Sequence, residues 1–175
     1  MQKAESPPNM AAFWRAELKL VKETDVSGFS PRHTGKPDAR RLQYAALPYR
    51  VSARARTEIM LITSRETRRW IIPKGWPQKG RAPHRSAARE AFEEAGVVGK
   101  VARRSVGTFS YEKRLKNGGV ALCKVRVFAL QVKHQSEVWP EQKQRKVKWL
   151  SAATAAKTVK EPSLSEIILR VAGMK

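Results

Sequence analysis

Acidic residues are scarce in this chain. Its 175 residues hold 15 Asp and Glu against 36 Lys and Arg, a formal net charge of +21. Cysteine is rarer still. One residue, Cys123, excludes an internal disulfide and fits a reducing compartment. It sits in an apolar stretch and reads as a core residue rather than a nucleophile. No apolar run approaches the roughly eighteen residues of a membrane-spanning helix. No long apolar segment follows the first basic residues, so no secretory leader is expected. The expected compartment is the cytoplasm. The sequence also lacks an internal repeat and any Cys/His spacing suited to zinc. What remains, with 41% hydrophobic residues, is enough to bury the core of one domain.

Against this scarcity the acids gather in one place. Arg89-Glu90-Ala91-Phe92-Glu93-Glu94-Ala95-Gly96-Val97 puts three glutamates within one turn and a half of a helix. Positions i, i+3 and i+4 are neighbours, so Glu90, Glu93 and Glu94 crowd one face. Ala87, Ala88, Ala91, Phe92 and Ala95 form an apolar stripe on the other. Pro83 suits the first helical turn and Gly96 the stop. Arg89 is placed to bond a carboxylate and fix its rotamer. Mutual repulsion among the acids is unfavourable unless a cation lies beside them, and a divalent metal is the obvious one. A solvated charged face is the plainer alternative for such a helix taken alone.

The preceding segment weighs toward a site. Trp70 to Ile72 reads as a short strand that runs through Pro73-Lys74-Gly75-Trp76-Pro77 into the helix. A backbone group at Gly75 can approach a ligand closely because no Cβ intervenes. Lys74 and Lys79 bring positive charge beside the acids.

These residues resemble the Nudix hydrolases. Gly75 opens the family signature, and Arg89 to Val97 completes it in register. One position departs, with Arg81 where the signature has its first glutamate. The resemblance implies an α/β fold, an α/β/α sandwich around a mixed sheet in which the signature forms loop–helix–loop. It implies hydrolysis of a phosphoanhydride in a nucleoside diphosphate derivative or related pyrophosphate. It further implies that Glu90 and Glu94 bind Mg²⁺ or Mn²⁺ with Glu93 contributing, that the carbonyl of Gly75 is a further ligand, and that Arg89 orients a glutamate. Arg81 puts the full set of metal ligands in question.

A closer resemblance, over Tyr44 to Val171, is to the branch of diphosphoinositol polyphosphate phosphohydrolases and diadenosine polyphosphate hydrolases. It is carried by Tyr49-Arg50, Ser64-Arg65, Arg69 to Pro73, Gly107-Thr108-Phe109 and Arg145-Lys146 before Trp149. It implies phosphate binding by Arg50, Ser64, Arg65 and Arg145, with Lys74 beside them. The expected partner is a polyphosphorylated small molecule, drawn in by a basic cleft. Glu112 and Glu141 are both candidates for an added base, and the sequence does not choose. No membrane partner is expected. RNA is a second possible partner, through phosphate neutralisation and stacking on Trp14, Trp70, Trp76 or Trp139. In that reading the chain is an RNA 5′-pyrophosphohydrolase, or a nucleic-acid-binding protein that has lost catalysis through Arg81.

Organisation follows from composition. Residues 1–42, broken by prolines and glycines, read as a polar arm, mobile or draped over the rest. Residues 43–175 read as the domain. Tyr49 to Ala55 alternates as a strand, which places Arg50 and Arg54 on one face. Glu58 to Thr63, Val101 to Phe109, Ala121 to Val132 and Lys146 to Leu150 read as further strands. Asn117-Gly118-Gly119 is the hairpin turn. Ser151 to Lys157 and Ser163 to Val171 read as helices, the latter with Ser163 and Glu166 at capping-box spacing.

Overall fold

A computed structural model of the chain describes residues 40–114 and 119–173. Eight strands form one mixed sheet: β1 (Arg40–Val51), β2 (Thr57–Thr63), β3 (Trp70–Ile71), β4 (Lys74–Gly75), β5 (Val97–Val101), β6 (Gly107–Arg114), β7 (Val120–Gln135) and β8 (Val147–Ser151). Three helices, α1 (Pro83–Ala95), α2 (Ala152–Thr158) and α3 (Pro162–Gly173), complete the described chain. β1 and β7 run parallel, from Arg40 opposite Leu122 to Tyr49 opposite Gln131, and the other pairings are antiparallel.

Strand alternation sorts the core into two layers. Ala45, Leu47, Ile59, Leu61, Val125, Val127 and Ala129 pack on one face against α2 and α3. Tyr44, Ala46, Met60, Ile62, Phe128 and Leu130 point the other way, against Ala87, Ala91 and Ala95 of α1. This is the α/β/α sandwich that the resemblance implies. The first half of β7 alternates buried and exposed residues, whereas Val127 to Leu130 are all buried because helices cover both faces there. Cys123 is a core residue, fully buried.

Several boundaries differ from the sequence reading. The strand expected over Tyr49 to Ala55 ends at Val51, and Ala55 takes a left-handed φ of 55° in the turn that follows. Arg54 therefore shares no strand face with Arg50. β1 begins at Arg40, so the expected 42/43 division falls inside a strand. Val101 to Phe109 is two strands. The chain leaves one stretch of β7 and joins another, held across the gap by Ala102 N–H on the Ala129 carbonyl and Val106 N–H on the Val127 carbonyl. The expected capping box is absent. Glu161 stands at the start of α3, its carbonyl accepting from Leu164 and Ser165, and Ser163 lies inside the first turn. Ser151, not marked as a cap by sequence, accepts from Thr154 N–H at the start of α2. Residues 1–39 of the segment read as an arm and most of the Asn117-Gly118-Gly119 turn lie outside the described residues.

Candidate active site

α1 docks on the sheet through Ala87, Ala91 and Ala95, and this seating decides where its glutamates go. Phe92 is half-buried and outside that seam, whereas Glu94 is buried, at 6% exposure. The three glutamates do not share one environment. Glu93 bonds Arg89 Nε at 2.6 Å along the helix, and neither residue lines the cleft. Glu94 turns inward, where it accepts from the backbone N–H of Lys74 at 3.0 Å and pairs with Arg145. Glu90 lies against Gly75, where any Cβ would overlap its carboxylate. It makes no hydrogen bond or ion pair among the described residues. Gly75 itself is fixed by β4, opposite Tyr44 of β1.

Arg145 organises the acids around it. Buried, it pairs with Glu94, bonds Glu141 through Nε at 2.6 Å, and donates from Nη1 to the Thr63 carbonyl at 3.0 Å. The backbone N–H of Glu141 in turn reaches the Glu93 carbonyl at 3.0 Å. Burial pushes the Glu90 carboxyl up to about 7, and Glu94 and then Glu93 add repulsion. Burial also raises the Glu94 carboxyl, against the opposing pull of Arg145 and Lys74. Desolvation lowers the Lys74 ammonium, with Glu94 pulling the other way.

These groups line an open cleft of about 1050 Å³. Ser64 is there, its hydroxyl 2.7 Å from that of Thr67, and Arg65 reaches Glu141 at 3.4 Å from a largely exposed position. Lys74 and Arg145 also line it. Arg50 does not. It lies along β1 beyond the cleft, paired with Glu58 at 2.7 Å and stacked 4.1 Å from the centre of the Trp149 ring. Gln43 is the β1 residue that lines the cleft, and Arg50 lies seven positions further along the strand, roughly 23 Å away. Arg81 is also outside the cleft, in the turn before α1 with its N–H on the Gln78 carbonyl. Of the two candidate bases, Glu141 is tied to the signature through Arg145, whereas Glu112 lines the cleft beside Tyr111 with an exposed side chain.

The cleft corrects one expectation. Its basic residues are Arg65, Arg69, Lys74, Lys113, Arg145 and Lys160; its acidic ones are Glu66, Glu90, Glu94, Glu112, Glu141 and Glu161. Among the described residues six basic side chains meet six acidic ones, so most of the +21 of the chain is not gathered in the cleft. A divalent cation would tip it positive. Among the described residues no three His, Cys, Asp or Glu side chains already form a metal-binding group. The donor set nonetheless suits a hard cation. Glu90 is partly desolvated, repelled by Glu94 and unpaired, and it meets a backbone cradle that only glycine leaves open.

Sequence reading missed a second constellation in the same cleft. Tyr111 donates from its hydroxyl to Gln43 Oε1 at 2.8 Å, and Arg69 lies 5.3 Å from the Tyr111 ring centre while pairing with Glu161. No motif links positions 43, 69, 111 and 161; the sheet places Gln43 and Tyr111, and the turns before β3 and α3 bring Arg69 and Glu161 to them.

Comparison with known proteins adds the following. The NUDIX domain model matches residues 45–171. Nudix hydrolase 16, mitochondrial, of Arabidopsis thaliana is 29% identical over 115 residues, which cover 64% of this chain and 63% of that protein. The chain thus spans less than two-thirds of that relative's length. Diphosphoinositol polyphosphate phosphohydrolase 3-alpha of Mus musculus is 31% identical over 128 residues, covering 72% of this chain and 73% of the mouse protein. Among solved structures, a C. elegans Ap4A hydrolase binary complex superposes with a TM-score of 0.56 at 19% identity, over 75% of this chain and 94% of that one. The MutT protein of Methanosarcina mazei does so with a TM-score of 0.57 at 17% identity, over 78% and 95%. At such identities these structures speak to fold alone.

Proposed function

The chain belongs to the Nudix family, and on that premise we propose that it hydrolyses a phosphoanhydride bond in a phosphorylated small molecule, aided by Mg²⁺ or Mn²⁺ at the Glu90–Gly75 end of the cleft. The observation that carries the reading is Glu90: a carboxyl pushed up to about 7, unpaired, and pressed against a glycine that cannot be replaced without collision. Glu90 and Glu94 would hold the cation, with the Gly75 carbonyl as a further oxygen donor. When bound, it would neutralise charge developing on the phosphoanhydride.

The protein's own groups do the rest. Arg89 holds Glu93 and so keeps one acid from competing for the other two. Arg145 sets the rotamers of both Glu94 and Glu141. Glu141 is the better-placed base, since it shares Arg145 with the acidic turn and its backbone is fixed to α1. Ser64, Arg65 and Lys74 line the cleft where phosphate oxygens would lie. In-line displacement at phosphorus needs such positioning more than a covalent nucleophile.

The names of the similar proteins point to diphosphoinositol polyphosphates and Ap4A, and either class satisfies the chemistry so far. The test is metal-dependent hydrolysis across nucleotides, dinucleoside polyphosphates, inositol pyrophosphates and 5′-triphosphate RNA, with and without chelator. Turnover that survives chelation, or none on any of these, would overturn the proposal. RNA remains a second reading because the surplus positive charge lies outside the cleft, where it could track a phosphate backbone. Affinity for 5′-triphosphate RNA that falls steeply with salt would favour it.

A further inference from the structure

Two buried side-chain polar atoms among the described residues lack a hydrogen-bond partner: Trp139 Nε1 and Glu161 Oε2. Of the two residues, Glu161 lines the cleft. It is 9% exposed, and its other oxygen is held by Arg69. Buried carboxylate oxygens are rarely left without a donor. Neither neighbouring group donates to it. The Arg69 guanidinium is engaged with Oε1 and over the Tyr111 ring, and the Tyr111 hydroxyl is spent on Gln43. The cleft is the side from which a donor can arrive, as water or as part of a ligand. The terminal torsion of a glutamate is soft, and its two oxygens turn together, so bringing the buried Oε2 to the cleft also shifts Oε1 along the Arg69 guanidinium.

We propose that Glu161 is a specificity-determining residue that accepts an N–H or O–H from the nucleoside part of a nucleotide substrate, lying beside the Tyr111 ring. This rests on reading the cleft as a pyrophosphohydrolase site, and it separates the two substrate classes that reading left open. A fully phosphorylated inositol ring presents only phosphate oxygens and has no neutral donor to offer a carboxylate. Its charge would also need an excess of cations. Arg69 is already neutralised by Glu161, and the cleft as a whole balances six basic residues with six acidic ones. A nucleoside polyphosphate carries less charge, placed at the metal end, and brings amino and hydroxyl donors at the other.

Calorimetry in Mg²⁺ with non-hydrolysable ligands tests this. The probes are α,β-methylene-ADP, its inosine counterpart and methylenediphosphonate. The intact protein should bind methylene-ADP at least about tenfold more tightly than methylenediphosphonate, because a site built around a hydrogen bond rejects a ligand lacking the donor. A weaker inosine analogue, whose amino group is replaced by a carbonyl, would assign the donor to the base; equal affinity would assign it to the ribose. Glu161→Gln should shrink the preference for methylene-ADP to about threefold or less. Its oxygen stays on Arg69, and its NH₂ then faces the cleft, turning an acceptor into a donor. Equal binding of methylene-ADP and methylenediphosphonate by the intact protein would overturn the inference, and that comparison needs no variant. So would an undiminished preference in a folded Glu161→Gln. Preferred hydrolysis of an inositol pyrophosphate over a diadenosine polyphosphate would overturn it while leaving the pyrophosphohydrolase reading intact. Absence of all binding and all turnover would instead sink that reading, and the inference with it.

Discussion

Replacing Glu90 by Gln should stabilise the metal-free protein and abolish its response to metal. The carboxyl titrates at about 7 in the folded chain against an ordinary 4.5. A folded-state value above the unfolded one means that the protonated form supports the fold below about 4.5. That support fades as pH rises through 7. At pH 8 in chelator, the ionised Glu90 is therefore a liability. At about 1.4 kcal/mol per pH unit, the gap between 4.5 and about 7 sets a ceiling of about 3.5 kcal/mol. Glu90 is only half-buried, so solvent screening brings the expected gain from Gln down to about 1–2 kcal/mol. In a chain of this size that raises Tm by about 2–8 °C. Thermal unfolding in chelator at pH 8 and pH 4 reads the effect, which should vanish at pH 4, where both states of the wild type are protonated. Added Mg²⁺ should then raise the Tm of the wild type but not of Glu90→Gln. A variant less stable than wild type at pH 8 in chelator, or one that gains as much Tm from Mg²⁺, would refute the reasoning.

Three other outcomes follow from the same arrangement. Glu94→Gln should cut turnover by on the order of a hundredfold or more under saturating Mg²⁺. It should also lower stability, since Arg145 loses a buried partner; a folded variant with full turnover would remove Glu94 from the site. Arg145→Ala should cost about 3–5 kcal/mol in urea unfolding, because it strands two carboxylates, one of them buried; a loss within error would mean that water replaces the guanidinium. Gly75→Ala should remove the Mg²⁺-dependent rise in Tm and most turnover while circular dichroism stays unchanged, because its Cβ claims the space of the Glu90 carboxylate; wild-type metal response would show that Glu90 simply moves aside.

The sequence displays the acidic turn, its loop and its helix because those signals are local: spacing within one helix, a proline at its start and a glycine at its end. It also displays β2, β3, β7 and β8, because their apolar runs are strong. It hides which way each glutamate turns. That is decided by Arg145, 51 residues beyond Glu94 and brought in by the pairing of β8 with β2. Composition misleads about the cleft for a related reason. A net charge summed over the chain says nothing about which side chains converge, and six of the fifteen acids converge here. Arg50 is the same lesson at one residue, since seven positions along β1 carry it roughly 23 Å from Gln43 in the cleft. Glu161 and Tyr111 belong to no pattern at all.

The long parallel ladder between β1 and β7 has a consequence for biogenesis. Arg40 pairs with Leu122 and Tyr49 with Gln131, so β1 emerges from the ribosome about 80 residues before its neighbour exists. At roughly 5–20 residues per second, that is a wait of about 4–16 s. During it, β2 and β4 can shield one edge of β1 through nearby antiparallel pairing, but the opposite edge stays open until β7 is made, and the core layer holding Ala45 and Leu47 lacks Val125, Val127 and Ala129 until then. Contacts this distant in the chain slow folding, and they make the nascent N-terminal half a natural client for a chaperone that recognises extended apolar segments.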